Sequence, residues 1–207
     1  MMNHALTCLI AATLMEAEPF IKLFNMRQAE KKPFRIYEGQ DIMLGISGIG
    51  KANAAMGTAC CCMKYQPACI INAGAAGAVD ESYEVGSIYQ VVKIIEPDRP
   101  HLKSDTPWIQ TPDTLEGFNS AVLATQDKPI GDVEAFDELA SVADLVDMEG
   151  ASVLQAAKRF DTRCFLFKFV SDTPRHAGKG LTVDNIKEYV GSFCEFVADS
   201  VIPSITE

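Results

Sequence analysis

"CIINAGAAGAVD", residues 69–80, begins as a run of apolar side chains and dissolves into alanine and glycine before an aspartate. A short apolar run that breaks at glycine reads as a buried strand opening into an exposed turn, here a strand over Cys69–Ala73 followed by a glycine turn. The same form recurs in both directions along the chain. "LTCLIAA" (6–12) leads into "MEAEP", "IMLGIS" (42–47) into "GIGKANAA", "LVDM" (145–148) into "EGAS", and "CFLFKFV" (164–170) into "SDTPRH". Further strands are expected at Phe34–Tyr37, Ile88–Ile95 and Ala121–Ala124. Between them lie helical stretches near Ala17–Phe24, Lys51–Lys64, Val133–Ala143, Glu149–Phe160 and Val183–Val201, the last with Ile186, Val190, Phe193 and Val197 at helical spacing. Strands alternating with helices predict an α/β fold around a largely parallel sheet.

The chain has 207 residues, 48% of them hydrophobic and 22% charged, which fits a single domain spanning 1–207 with one sizeable core. Its net charge of -10 provides no basic face for a nucleic-acid backbone, so no such partner is expected. The apolar stretch "ALTCLIAATLM" is too short for a bilayer and lacks a basic flank or cleavage site, so it is read as the first strand of a cytoplasmic protein with no membrane association. Seven cysteines without a CxxC pair read as buried thiols in a reducing compartment, and no metal or organic cofactor is expected. The aperiodic, Pro- and Asp-rich segment Glu96–Thr114 reads as a long loop or an excursion beyond the sheet.

Open sheets bind ligands beyond the carboxyl ends of their strands. Each of the five strand ends quoted above carries a carboxylate or an exposed glycine turn, so acids and open backbone meet at one rim. "GIGKANAA" lacks the third glycine of a dinucleotide-binding turn, and no GxxxxGK[ST] loop occurs.

In this order, "SGIGKANAA", "INAGAAGAV", "DMEGAS" and "VSDTP" resemble the nucleoside phosphorylase and nucleosidase superfamily, most closely its bacterial 5'-methylthioadenosine/S-adenosylhomocysteine nucleosidases. The resemblance covers Leu6 to Asp172. It implies a three-layer α/β/α sandwich around a mixed, partly barrel-like sheet, a homodimer or higher homo-oligomer, and hydrolysis of a purine nucleoside, a 5'-modified adenosine in particular, to the free base. Such cleavage needs a proton for the departing purine and negative charge near the ribosyl cation. By resemblance Asp172 is the acid for the purine, supported by Ser171, and Glu18 is the base that activates water, with Glu16 a rival at the spacing "MEAE". Glu149 would accept hydrogen bonds from the ribose diol, with Met148 under the sugar, Gly74 and Ala75 lining the turn, and the Ile130 backbone at the base edge.

Asn72 stands where hexameric phosphorylases have an arginine, and Glu16 and Glu18 stand where they have a basic residue, which favours water over phosphate as nucleophile. The chain departs from the nucleosidase pattern at Ala75 (usually serine), Lys168 (arginine) and Pro129 (phenylalanine). The alternatives are a phosphate-dependent phosphorylase, a hydrolase of another purine compound such as futalosine, in whose hydrolases the position of Asp172 is typically asparagine, and a catalytically weak nucleoside-binding protein.

Overall fold

A computed structural model describes residues 6–100, 106–128, 138–176 and 179–206. Its centre is a ten-stranded mixed sheet in the order β10-β6-β8-β9-β5-β1-β4-β3-β2, with β7 paired to β6. The strands are β1 (Thr7–Ala11), β2 (Arg27–Glu30), β3 (Arg35–Glu38), β4 (Ile42–Ile46), β5 (Cys69–Ala78), β6 (Ile88–Pro100), β7 (Pro107–Gln110), β8 (Ser120–Thr125), β9 (Leu145–Asp147) and β10 (Arg163–Asp172). Because β10 also pairs with β5, the strands β5, β9, β8, β6 and β10 close on themselves, and β1, β4, β3 and β2 extend from β5 as an open wing. The barrel-like centre of the expected fold is this ring.

The quoted stretch is the hinge of the design. Its strand does not stop at Ala73 but continues to Ala78, because the small residues after Asn72 still pair with β10 from Ala73↔Phe167 to Gly77↔Asp172. Its first half also pairs with β1 (Thr7↔Cys69 to Ile10↔Asn72) and its end with β9 (Gly77↔Val146). One strand therefore belongs to both the wing and the ring.

Alternation along β10 builds the layers. Cys164, Leu166 and Val170 enter one core with Cys8, Ile10 and Ile70, while Phe165, Phe167 and Phe169 enter the other with Leu9, Ala11 and Ile71. Helices α2 (Lys51–Tyr65) and α3 (Gly150–Arg159) cover the first face; α1 (Leu14–Leu23) and α4 (Lys179–Phe196) cover the second. On that second face Phe193 of α4 meets Phe20 edge-on at 6.4 Å and Phe169 at 5.0 Å, so one ring cluster fastens both helices to the sheet. The result is the three-layer arrangement.

Two strands lie where none is expected from sequence. β2 is "RQAE", mostly exposed and without an apolar residue beyond alanine, and it forms by pairing with β3 at the sheet edge. β7, inside the segment read as a loop, pairs with the end of β6 (Ile94↔Gln110), so part of Glu96–Thr114 is an antiparallel arm. Buried Glu96 anchors the arm through Lys51 (3.2 Å), Arg99 (3.2 Å) and Gln110 (3.3 Å). Of the expected helix Val133–Ala143, residues 138–140 are helical and residues up to 137 lie outside the described ones. Among the described residues no helix is long and apolar enough to cross a membrane.

Candidate active site

β1, β4, β5 and β10 run parallel and deliver their carboxyl ends to one rim, and β9, antiparallel to β5, brings Asp147 to Lys168 of β10. After β1 the chain turns at Thr13, which caps α1: its hydroxyl oxygen accepts from the Glu16 N–H at 3.3 Å, and Glu16 reaches back to the Thr13 N–H (2.9 Å) and hydroxyl (2.8 Å) through Oε2. This reciprocal box fixes the Glu16 side chain. Its free oxygen, Oε1, accepts the Ala75 N–H at 3.0 Å across the sheet. Gly74 makes this possible, since a Cβ there would lie 2.5 Å from Glu16 Oε1.

Glu18, the residue expected as base, is not at the rim. It lies two positions further along α1, 58% exposed, and pairs with Lys22 at 3.4 Å. Positions two apart on a helix face different directions, and the cap dictates that Glu16 is the one turned inward. The assignment of the inward acid therefore moves from Glu18 to Glu16. The signal was present in the sequence as "TLME", Thr13 to Glu16, a threonine followed three residues later by glutamate.

At the end of β9, Asp147 pairs with a buried cation on which the charge of Glu149 also acts. Lys168 of β10 is 2% exposed and places Nζ 2.9 Å from Asp147 Oδ2. The remaining capacity of Asp147 is filled by the Thr125 hydroxyl (2.6 Å) and the Gly150 N–H (2.8 Å), so Asp147, not Glu149, caps α3. Glu149 instead turns to the start of α2, where Oε1 accepts the Gly50 N–H at 2.8 Å. That bond needs the turn at Gly50, whose φ of 96° is strained for any residue with a side chain. Burial would lower the Lys168 pKa, but the charges of Asp147, Glu149 and Glu16 outweigh it and raise it, so the ammonium stays charged. Glu149 is pushed up to about 7, first by burial, then by Asp147, against the pull of Lys168 and the Gly50 N–H.

This pKa makes a stability prediction. A carboxyl whose folded value lies above its ordinary value of 4.5 holds its proton more tightly in the native state, so its contribution is complete below 4.5 and disappears as pH rises through about 7. The thermal midpoint of the unliganded protein should fall between pH 5 and pH 7.5, and Glu149→Gln should flatten this slope. Asp172 acts in the same direction, so some slope persists. A midpoint with the same pH dependence in Glu149→Gln would contradict the assignment.

Asp172 closes β10 on the other side of β5. Its carboxyl lies against Gly77, where a Cβ would stand 3.3 Å from Oδ2. Burial raises its pKa, and the hydrogen bond from Ser171 Oγ to Oδ1 at 2.5 Å partly opposes that. A half-buried acid whose pKa is raised at a strand end has the properties of a proton donor. The charges of Glu16 and Glu149 each act on the common cation, whereas Asp172 feels desolvation and its neighbour Ser171. The site thus divides into an anionic pocket around Lys168 and a separate, protonatable acid.

Met148 is half-buried in the turn between Asp147 and Glu149, and Ala75 contributes its backbone N–H. Ile130 and Pro129 lie outside the described residues. Asn72, on the Gly74 face of β5, donates from Nδ2 to the Ile10 carbonyl at 3.1 Å, and Asn72 Oδ1 is buried without a protein partner. Sequence reasoning did not single out Asp147 and Thr125, which have no catalytic signature of their own and matter through the cation they hold.

Comparison with known proteins matches the phosphorylase superfamily to residues 7–202. A 5'-methylthioadenosine/S-adenosylhomocysteine nucleosidase of Staphylococcus haemolyticus is 28% identical over 181 residues, covering 73% of this chain and 78% of the relative. Among solved structures, the Helicobacter pylori 5'-methylthioadenosine/S-adenosylhomocysteine nucleosidase bound to butyl-thio-DADMe-Immucillin-A superposes with a TM-score of 0.86 at 16% identity, covering 97% of this chain and 99% of the other. The native futalosine hydrolase of the same organism has a TM-score of 0.85 at 16% identity, covering 97% and 98%.

Proposed function

Since the chain belongs to the phosphorylase superfamily, we propose that it hydrolyses the N-glycosidic bond of a purine nucleoside, a 5'-modified adenosine, and releases the free base. The observation that carries this reading is the carboxylate pocket around Lys168. Asp147 pairs with the buried Lys168 ammonium and the charges of Glu149 and Glu16 also act on it, so this group of acids favours positive charge developing on the ribosyl ring and disfavours a phosphate dianion. Asn72 instead of a cationic side chain on the same face of β5 points the same way.

In this reading Glu16 activates the water. Its carboxylate is directed by Thr13 and the Ala75 N–H. Glu149 receives the diol, because a carboxylate oxygen pair can accept from two adjacent hydroxyls. Accepting these bonds favours the ionised form, so binding releases a proton wherever Glu149 is still protonated. Asp172, with Ser171 beside it, donates its proton to the purine as the bond breaks, a role that the upward shift of its pKa by burial supports. The assembly is a homo-oligomer and the compartment the cytoplasm.

Incubation with 5'-methylthioadenosine, S-adenosylhomocysteine, 5'-deoxyadenosine, inosine and futalosine, with and without inorganic phosphate, tests the reading. Free base and free ribosyl sugar should appear at the same rate in both conditions. Base release that requires phosphate and yields ribose 1-phosphate would replace the hydrolase with a phosphorylase. Ligand-induced thermal stabilisation without turnover would leave a binding protein.

A further inference from the structure

Asp172 is the last residue of β10, so its direction depends on what grips the chain around it. On the near side, Asn185 of α4 donates from Nδ2 to the Ser171 carbonyl at 2.8 Å. On the far side one carboxylate holds two donors: Glu81 Oε2 accepts from the buried Thr173 hydroxyl at 2.9 Å, and Glu81 Oε1 accepts from the Arg175 N–H at 2.6 Å. These donors lie one and three residues after the acid. Glu81 is in the β5–β6 connection, and that connection is itself pinned. The Ser82 N–H donates to Asp80 Oδ1 at 2.6 Å, the Tyr83 hydroxyl to Asp144 Oδ1 at 2.5 Å, and the Val79 N–H to the Asp144 carbonyl at 3.0 Å. A fixed loop thus presents a bidentate acceptor to the turn that follows the purine acid.

We propose that Glu81 is a positioning residue that clamps the 173–175 turn and thereby aims Asp172 at the leaving base. The proposal rests on the reading of Asp172 as that acid. A general acid acts only within hydrogen-bond reach of the atom it protonates, and a misplacement of about 1 Å can cost on the order of 100-fold in rate. β10 ends at Asp172, so the sheet ladder sets its position from the upstream side only. Glu81 and Asn185 supply the second and third points of attachment. The clamp works through hydrogen bonds, not charge: a glutamine at 81 can accept the Arg175 N–H through its oxygen and donate its amide to the Thr173 hydroxyl oxygen.

The test uses the full chain with the nucleoside it turns over. Glu81→Ala should lower kcat by about 10- to 100-fold and leave KM within about twofold, because ground-state binding is kept and the acid is misaligned. Glu81→Gln should restore kcat to within about threefold of the parent. Backbone hydrogen exchange of the 173–175 segment should be faster in Glu81→Ala and near the parent rate in Glu81→Gln. A raised KM with unchanged kcat overturns the proposal, as does unchanged kinetics in Glu81→Ala or equal losses in both variants. Unaltered exchange in Glu81→Ala removes the clamp itself. If the parent protein releases no base from any nucleoside, the functional reading falls, and the exchange measurement still decides whether the clamp exists.

Discussion

Glu16→Gln is expected to lower kcat by about 10²- to 10⁴-fold, the usual contribution of a positioned acid or base, while Glu18→Gln leaves both kcat and KM near the parent values. The two glutamates are two residues apart and chemically identical, so the contrast isolates position. Glu16 has its carboxylate tied at both oxygens to the rim, with Oε2 on Thr13 and Oε1 on the Ala75 N–H. Glu18 is 58% exposed and engaged with Lys22 as a surface pair, an interaction of small energetic weight. Glutamine at 16 keeps one acceptor oxygen, which can serve Thr13, and turns a donor NH2 toward the Ala75 N–H, so it keeps the shape of the cap, gives up the bond across the sheet and loses the base. A thermal midpoint within a few degrees of the parent would separate lost chemistry from lost folding. Gly74→Ala should reproduce part of the defect with the carboxyl chemically unchanged but displaced, because the new Cβ would meet Glu16 Oε1 at 2.5 Å. Equal losses in Glu16→Gln and Glu18→Gln, or a larger loss in the latter, would return the base to the surface position.

The strand-helix alternation and the small-residue turns made the α/β class and the rim of acids readable from sequence, while the three layers and the mixed sheet were implied by the resemblance of the motifs. Asp172, Ser171 and Glu149 lie where their motifs put them, at the ends of β10 and β9. What was not readable shares a physical cause: it depends on partners distant in sequence. β2 has no apolar period and exists only as an edge pairing on β3. β5 outlasts its apolar run because β10 supplies hydrogen bonds to alanines and glycines that have no strand preference of their own. The choice between Glu16 and Glu18 is the instructive case. Alignment of "MEAE" by motif favoured the later acid, whereas the local chemistry of Thr13 selects the earlier one, and the capping box was the better guide. The buried cation lies at the other extreme, since nothing near Lys168 in the chain announces that Asp147 waits on another strand.

That cation underlies the largest stability effect. Lys168→Met should destabilise the protein by about 3–5 kcal/mol, because removing one partner leaves the other charge buried and uncompensated. For a chain of this size that is a fall in thermal midpoint of roughly 6–20 °C. Methionine matches the lysine stem in volume, so packing is kept and the loss reports on charge. Asp147 is 1% exposed as a side chain and would retain the Thr125 hydroxyl and the Gly150 N–H, which satisfy its oxygens without neutralising it. Glu149 would lose the nearby cation that holds its pKa down, and would take up its proton at higher pH still. The deficit should therefore be greater at pH 8 than at pH 5. Lys168→Met with Asp147→Asn should recover much of the stability, since the neutral amide still accepts a hydrogen bond and no longer needs a counter-charge. The same double variant should stay poor in catalysis, because the pocket that stabilises the ribosyl cation would have lost the ammonium around which its acids are arranged. Lys168→Met as stable as the parent at pH 8 would mean that Asp147 and Glu149 do not depend on this cation, and the clustering of acids around it would need another cause.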